Sequence, residues 1–263
     1  MVESTVSQHV QVNVADRIMR ITLARPEKKN ALTNPMYEAL AAALERAESD
    51  PEVRVVVLEG SGDMFTAGND LADFAAVAAG KASRDDMKAF TFLQALARGQ
   101  KPYVAAVHGL AVGIGVTMLM HFDLVFVAED AKLSAPFVNL AVVPEAASSW
   151  LIPARIGHAR AFAMFALGES IDGRTAAALG LANAAVPATE VHAKALAAAK
   201  TLAAKPAGAL RETKKLMRDA AAIAALMTRE SEIFGARLQT PEAAEAFQAF
   251  AERRAPDFSK ISG

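Results

Sequence analysis

The sequence predicts an α/β fold that ends in a helical region, and three observations support this. Runs of β-branched residues alternate with helical segments over roughly the first two-thirds of the chain. Beyond Trp150, strand patterns become rare and helical patterns dominate. The 263 residues are 53% hydrophobic and 22% charged, which is typical of globular proteins. This length allows one large domain or two small ones.

Composition and charge argue against several functional classes. The chain has 28 Lys and Arg against 29 Asp and Glu, so neither nucleic-acid nor acidic-membrane binding is expected. It has no Cys, which rules out disulfides and thiolate catalysis, and its five His lack metal-ligand spacing. We find neither a membrane-spanning apolar run nor a signal-peptide pattern, and therefore expect a cytoplasmic protein.

The elements can be assigned in chain order, beginning with a β-hairpin. Apolar and polar residues alternate over residues 10–14 and 18–23, with a turn at 15–17. Asn34 followed by Pro35 predicts an N-cap and the first position of a helix.

Three buried strands are predicted next, at residues 54–59, 103–107 and 124–128. Ser83, with two aspartates behind it, predicts another helix start between the first two of these strands. The final third contains five further helical segments, at residues 159–167, 174–180, 190–204 and 207–222 and from Thr240 onward. We therefore expect an α/β core over residues 1–200 and a helical region over 201–263.

Two glycine-bearing loops follow neighbouring strands. The second, with Gly113 and Gly115, lacks the third glycine of a dinucleotide fingerprint because Met118 occupies that position. It is either a tight packing turn or a helix start whose backbone N–H groups accept negative charge. The first, at residues 65–71, is on its own an Asx-type turn. Together the loops are better explained as two halves of one oxyanion-binding site.

These segments resemble the crotonase (enoyl-CoA hydratase/isomerase) superfamily, whose two oxyanion-hole segments match residues 65–71 and 108–123. Other matching segments are residues 25–32, 167–168, 178–183 and 250–254. The resemblance implies a crotonase-like (ClpP/crotonase) fold of repeated β-β-α units. It also implies that the helical region assembles a homotrimer or a dimer of trimers.

The resemblance further implies an acyl-CoA site, with the N–H groups of Asn69 and Ile114 as oxyanion donors. Lys28 and Lys29 would lie near the CoA nucleotide, and residues 67–71 would line the pantetheine and thioester. The full set of expected substrate- and CoA-binding residues is Lys28, Lys29, Ala31, Ala67, Gly68, Asp70, Leu71, Gly113, Phe137 and Phe250. CoA would be part of the substrate, so neither a separate cofactor nor a metal is expected.

The chain departs from the hydratases of this family at both catalytic glutamates, where it has Thr117 and Phe137. Glu145, behind Pro144, is similar to the single proton-shuttling glutamate of peroxisomal-type Δ3,Δ2-enoyl-CoA isomerases. From position alone, Glu145 could equally be a first-turn residue favoured by a helix dipole. Its apolar neighbours in sequence favour a raised pKa and hence a catalytic base.

Three functions follow from this resemblance. The first is an isomerase that converts 3-enoyl-CoA to 2-trans-enoyl-CoA, with Glu145 as the catalytic base. The second is an enoyl-CoA hydratase of fatty-acid or aromatic-acid degradation, and the third is a non-catalytic acyl-CoA-binding homologue.

Other polar residues are interpreted structurally. Asp70 and Asp73 are expected to cap a turn or helix. His108 and His121 are expected to be hydrogen-bonded packing residues. Lys214, with Lys215 beside it, is expected to lie on a solvated helix face.

Overall fold

The computed structural model describes residues 8–73 and 88–261, which are organised around two β-sheets. The larger sheet has the strand order β1-β2-β3-β4-β6-β9, and the smaller has the order β5-β7-β8. The strands are β1 Val10–Ala15, β2 Ile18–Leu23, β3 Val55–Gly60, β4 Tyr103–Val107, β5 Leu110–Val112, β6 Leu124–Ala128, β7 Lys132–Ser134, β8 Ile171–Asp172 and β9 Ala184–Val186.

Helices cover the sheets and form the end of the chain. They are α1 Asn34–Ser49, α2 Ala89–Arg98, α3 Ile114–Thr117, α4 Ser148–Ile156, α5 His158–Phe162, α6 Gly173–Ala178, α7 Val191–Ala203, α8 Ala207–Met217, α9 Ala220–Leu238 and α10 Pro241–Ala251. Short 3-10 turns and one π-helical turn complete the described structure. Among the described residues, no helix combines the length and apolar character that a membrane span requires.

The larger sheet forms the centre of the core. Every residue of β3 and β4 is buried, as expected for strands covered on both faces. From β2 to β9 all pairings are parallel, so the carboxyl ends of these strands meet at one edge. The loops that leave β3 and β4 are thereby brought together.

The long strands follow the sequence predictions closely. The hairpin of β1 and β2 is confirmed, and β4 and β6 have the predicted bounds. The short strands β5, β7, β8 and β9 were not predicted, because two or three residues carry too little alternation to be recognised. α1 is capped one residue earlier than expected, at Thr33, while the Asn34 side chain accepts a hydrogen bond from Lys88 N at 3.0 Å.

The helical region differs from the prediction at one place. The helix expected over residues 207–222 is two helices, α8 and α9, because Arg218 adopts an extended conformation and Asp219 caps Ala222 N at 2.9 Å. The predicted cap at Thr240 is confirmed. The predicted helix start at Ser83 lies outside the described residues, and the domain boundary near residue 200 stays a prediction.

Lys214 does not lie on a solvated face, so that interpretation was wrong. Its side chain is only 9% exposed, and Nζ donates to Asp123 Oδ2 and to Lys101 O, each at 2.8 Å. Nζ also lies 4.3 Å from the centre of the Tyr103 ring. Lys214 therefore attaches α8 to the strand layer through a buried ion pair and a cation–π contact.

Replacing Lys214 should destabilise the fold far more than replacing its neighbour. Lys214→Met leaves Asp123 without its cation, so we expect the free energy of unfolding to fall by about 2 kcal/mol. Lys215→Met removes an exposed pair with Glu212 and should cost no more than about 0.5 kcal/mol. Urea unfolding at pH 7 measures both, and equal losses would contradict the assignment.

Candidate active site

The first loop after β3 is held in place by backbone hydrogen bonds on both sides. Leu32 N donates to Gly68 O and Asp70 N donates to Leu32 O, each at 2.8 Å. On the other side, Thr66 N donates to Leu110 O at 3.0 Å, and Val112 N donates to Thr66 O at 3.2 Å. These bonds fix the loop directly against the chain that leaves β4.

The two glycine loops approach each other at Gly68. This residue has φ +90°, and a Cβ there would lie 2.6 Å from the carbonyl oxygen of Val112. Gly113 has φ +56° and immediately precedes α3, which begins at Ile114. Both positions require glycine, because an L-residue would be strained at either and would also clash at Gly68.

Two backbone donors are free at this meeting point. Within the described part of the chain, neither Asn69 N nor Ile114 N donates to a protein acceptor. Ile114 N is the first amide of a helix, where intrahelical partners are lacking. Asn69 and Ile114 are the residues predicted as oxyanion donors, and that role stays a prediction; free N–H groups of this kind can stabilise developing negative charge.

A cavity of about 340 Å³ opens beside these donors. Seven of the predicted residues line it, namely Ala67, Gly68, Asn69, Leu71, Gly113, Phe137 and Phe250. Its other walls are mainly apolar and come from residues 136–142 and from α9 and α10. The structure therefore brings both glycine loops and the last helix, α10, to one cavity.

Four predicted contact residues lie outside this lining. Lys28 and Lys29 are exposed in the preceding loop, and Lys29 O accepts a hydrogen bond from Ala67 N at 2.9 Å. Ala31 O and the Asp70 carboxylate both bind the Arg25 guanidinium, at 3.0 and 2.8 Å. The loop with the lysines is thus attached to the loop of residues 65–71, and Asp70 is part of that attachment.

Asp70 has the structural role favoured by the sequence. Its Oδ1 accepts a hydrogen bond from Ala72 N at 3.2 Å. Partial burial disfavours its charged form, but the hydrogen bonds from Arg25 and Ala72 N and the charges of Arg25 and Lys28 together outweigh burial and lower the pKa of Asp70.

Glu145 lines a second cavity of about 440 Å³, between α2 and α9. Phe234 contributes to both cavities, so the two share a wall. Glu145 lies in a turn before α4 rather than in its first turn, which excludes the dipole-favoured alternative. The side chain is partly exposed, but its Oε1 atom is buried without a hydrogen-bond partner.

The surroundings of Glu145 disfavour its ionised form. Burial, and secondarily the charge of Glu230, raises the pKa of Glu145 to about 8. Burial, and then the charge of Glu145, also raises the pKa of Tyr37. A carboxyl with such a pKa, next to an open space, is suited to accept and return a proton near neutral pH.

Tyr37 interacts electrostatically with Glu145 and is bonded to the loop of residues 65–71, and no sequence pattern indicated this role. Its hydroxyl donates to Asn69 Oδ1 at 2.5 Å. Tyr37 is buried on α1, where only the general need of a buried phenol for a partner could have suggested a polar role. This bond orients the Asn69 side chain, while the backbone N–H of Asn69 remains free.

At the two positions where hydratases of this family have glutamates, the structure places a buried threonine and a phenylalanine. Thr117 is buried in α3, and its hydroxyl has no hydrogen-bond partner. The Phe137 side chain lines the first cavity and packs 5.9 Å from the Phe165 ring, measured between ring centres. This wall of the cavity is therefore apolar.

The two histidines near the glycine loops have the packing role expected from the sequence. His108 contacts Gly62 O through Nε2 at 3.1 Å, and His121 contacts Ala146 O through Nε2 at 2.8 Å. Both are thus hydrogen-bonded packing residues. The described residues contain no cluster of three His, Asp or Glu side chains suited to a metal ion.

Comparisons with known proteins relate the chain to acyl-CoA enzymes. Residues 13–261 match the family described as enoyl-CoA hydratase/isomerase. Over 253 residues the chain is 33% identical to enoyl-CoA delta isomerase 2 of Rattus norvegicus, covering 94% of this chain and 64% of that protein. It therefore spans less than two-thirds of that relative.

Two further relatives are covered over nearly their full length. A probable enoyl-CoA hydratase of Rhodobacter capsulatus is 33% identical over 252 residues, covering 95% of this chain and 97% of that protein. The crystal structure of an enoyl-CoA hydratase/isomerase from Pseudoalteromonas atlantica T6c has a TM-score of 0.89 at 37% identity, covering 95% and 100% of the two chains. These likenesses confirm the family resemblance and the crotonase-like fold predicted from the sequence.

The contact at Gly68 can be tested against a second glycine of similar conformation. Gly68→Ala adds both strain and a clash with Val112 O, whereas Gly180, at φ +83°, has open space around it. We expect Gly180→Ala to cost about 1 kcal/mol and Gly68→Ala at least about 2 kcal/mol more, since overpacking adds to the strain. Chemical unfolding of both variants measures the difference, and equal costs would refute the close approach.

Proposed function

The chain belongs to the enoyl-CoA hydratase/isomerase family, and we propose that it is an enoyl-CoA isomerase that converts 3-enoyl-CoA to 2-trans-enoyl-CoA. The proposal depends above all on Glu145, whose Oε1 is buried without a hydrogen-bond partner beside a cavity. A buried polar atom without a hydrogen-bond partner in the protein calls for an explanation. The substrate's acidic C–H group is the partner that we assign to it.

The proposed reaction is a proton shift of the 1,3 type. Glu145 removes a proton from carbon 2, and the electron pair moves into the thioester to give a dienolate. The N–H groups of Asn69 and Ile114 hold the dienolate oxygen, where one donor is worth on the order of 3 kcal/mol of barrier. The protonated carboxyl then delivers the same proton to carbon 4, and the double bond moves to carbons 2 and 3.

The environment of the carboxyl supports this exchange. A base with a pKa of about 8 is strong enough to accept a proton and weak enough to return it. Deprotonated Glu145 is the reactive form, so the rate should rise with pH until this group is fully ionised. The reaction needs no metal or redox cofactor in this proposal, because CoA enters as part of the substrate.

The surroundings of the site support two further parts of the proposal. Lys28 and Lys29, exposed beside the loop of residues 65–71, bind the phosphates of CoA. The chain assembles as a homotrimer or a dimer of trimers, which would cover several large apolar side chains. These are Trp150, Phe162, Leu167, Leu216 and Met217, each at least 50% exposed.

Replacing Glu145 by Gln keeps the shape of the side chain and removes the base. We expect the turnover of 3-enoyl-CoA to fall at least about 100-fold, the usual size of a general-base contribution. Deuterium exchange at carbon 2 in heavy water should also disappear, while CoA-thioester binding measured by calorimetry remains. The pH profile of kcat/KM in the unchanged protein should rise to a plateau above about pH 8.

The exposed residue Glu38 provides the control, and Glu38→Gln should keep full activity. Exchange at the normal rate in Glu145→Gln would refute the role of Glu145. Hydration of 2-enoyl-CoA without isomerisation would instead identify a hydratase. Thioester binding without either product would identify a non-catalytic acyl-CoA-binding protein.

Replacing both Lys28 and Lys29 by Ala should weaken substrate binding alone. We expect KM to rise about 10-fold or more with kcat nearly unchanged, because phosphate contacts distant from the reacting carbons stabilise ground and transition states equally. A double Ala variant of the exposed Lys132 and Lys194 removes the same charge elsewhere and should leave KM unchanged. A fall in kcat at constant KM would exclude phosphate binding by these lysines.

A further inference from the structure

The turn that carries Glu145 has an unusual backbone. We call residues 144–149 the Glu145 turn. Directly after Glu145, Ala146 and Ala147 adopt left-handed conformations, with φ of 63° and 56°. Two successive alanines rarely do so, because Cβ crowds the following carbonyl. Such a conformation persists only where the surrounding structure enforces it.

Glu230, on α9, supplies most of that enforcement. Its Oε2 accepts a hydrogen bond from Ala147 N at 2.5 Å, and its Oε1 accepts from Ser149 N at 3.1 Å and from the Ser149 hydroxyl. The residue is 5% exposed. One carboxylate from a distant helix thus binds three donors of the turn, and charge-assisted bonds of this kind are strong.

His121 also holds this turn. Arg218 donates to His121 Nδ1, so the ring proton is on Nε2, which donates to Ala146 O at 2.8 Å. Burial and the charge of Arg218 lower the pKa of His121 to about 3, so the ring is neutral at physiological pH. The peptide group that joins the two left-handed alanines is therefore bound at both ends, its carbonyl by His121 and its N–H by Glu230.

We propose that Glu230 is a positioning residue that holds the Glu145 turn in its left-handed conformation and so directs the Glu145 carboxyl. This inference rests on the proposed function. Glu230 is not among the residues that line the cavity between α2 and α9, whereas Glu145 is. Glu230 therefore acts through the backbone of residues 146–149 and not by contact with the substrate.

A second consequence concerns charge. Among the described residues, the titratable groups that face Glu145 or its turn are Glu230 and Glu232 from α9, Tyr37 from α1 and the neutral His121. Burial raises the pKa of Glu230, and the hydrogen bonds from Ser149 and Ala147 oppose this effect in part. Its charge in turn disfavours ionisation of Glu145, so two neighbouring carboxyls have different roles.

The experiment compares Glu230→Gln with Glu230→Asp. The amide of Gln places N–H groups against the N–H donors of the turn and also removes the charge. For Glu230→Gln we expect kcat to fall at least about 10-fold, with KM within about two-fold, because the base is misdirected while the thioester site stays intact. The inflection of the pH profile should move to lower pH, because the like charge is gone.

Glu230→Asp separates the two effects. Its shorter side chain keeps the charge but cannot reach all three donors, so kcat should fall while the pH inflection stays near that of the unchanged protein. Glu212→Gln, at an exposed site on α8, removes one negative charge elsewhere and should change neither quantity. Circular dichroism and thioester binding establish that each variant is folded.

Unchanged kcat and an unchanged pH inflection in folded Glu230→Gln would overturn the proposal and leave Glu230 a purely structural residue. A carbon-13 titration of labelled Glu carboxyls, with Glu145→Gln to assign the signal, tests the charge effect without any activity. If the unchanged protein does not isomerise 3-enoyl-CoA, the proposed function fails. The positioning role is then decided by the backbone amide NMR signals of residues 146–149, which should shift in Glu230→Gln and not in Glu212→Gln, and unmoved signals refute it.

Discussion

The close approach of two loops at Gly68 is the constraint on which the candidate site depends. Parallel pairing of β2, β3, β4 and β6 sends the loops after β3 and β4 to the same edge of the sheet. There the backbone bonds between Thr66 and residues 110–112 bring the two chains into contact. Only a residue without Cβ fits between them, and this contact places Asn69 and Gly113 on the same cavity lining, with the unbonded amide of Ile114 directly after Gly113.

The long elements could be predicted because their signals are local. Strands such as β4 are continuous apolar runs, and α10 begins with a Thr-Pro pair that caps a helix. The strands of the smaller sheet have only two or three residues and depend on pairing partners distant in sequence. Lys214 was misinterpreted for a similar reason, since its burial depends on Asp123 and Tyr103, which lie about ninety or more residues earlier.

The candidate site divides in the same way. The glycine loops, and the lack of carboxylates at positions 117 and 137, could be read directly from the sequence. Tyr37 and Glu230 could not, because each acts on a residue far along the chain and neither belongs to a local motif. The surroundings of Glu145 were only partly foreseen. Its apolar sequence neighbours indicated burial, but the charge of Glu230 and the left-handed alanines depend on tertiary structure.

The composition of the cavity wall bears on which reaction the proposed base performs. In isomerisation, a dienolate held by two amides takes its next proton from the nearest acid. In hydration, a bound water attacks the unsaturated thioester. Holding such a water requires hydrogen-bond acceptors, yet Phe137 presents a ring to the cavity and Thr117 is buried in α3. Protonated Glu145 then has no competing carboxylate from those two positions. We therefore propose return of the proton along the acyl chain, rather than addition of a water held at these two positions, as the reaction of this site.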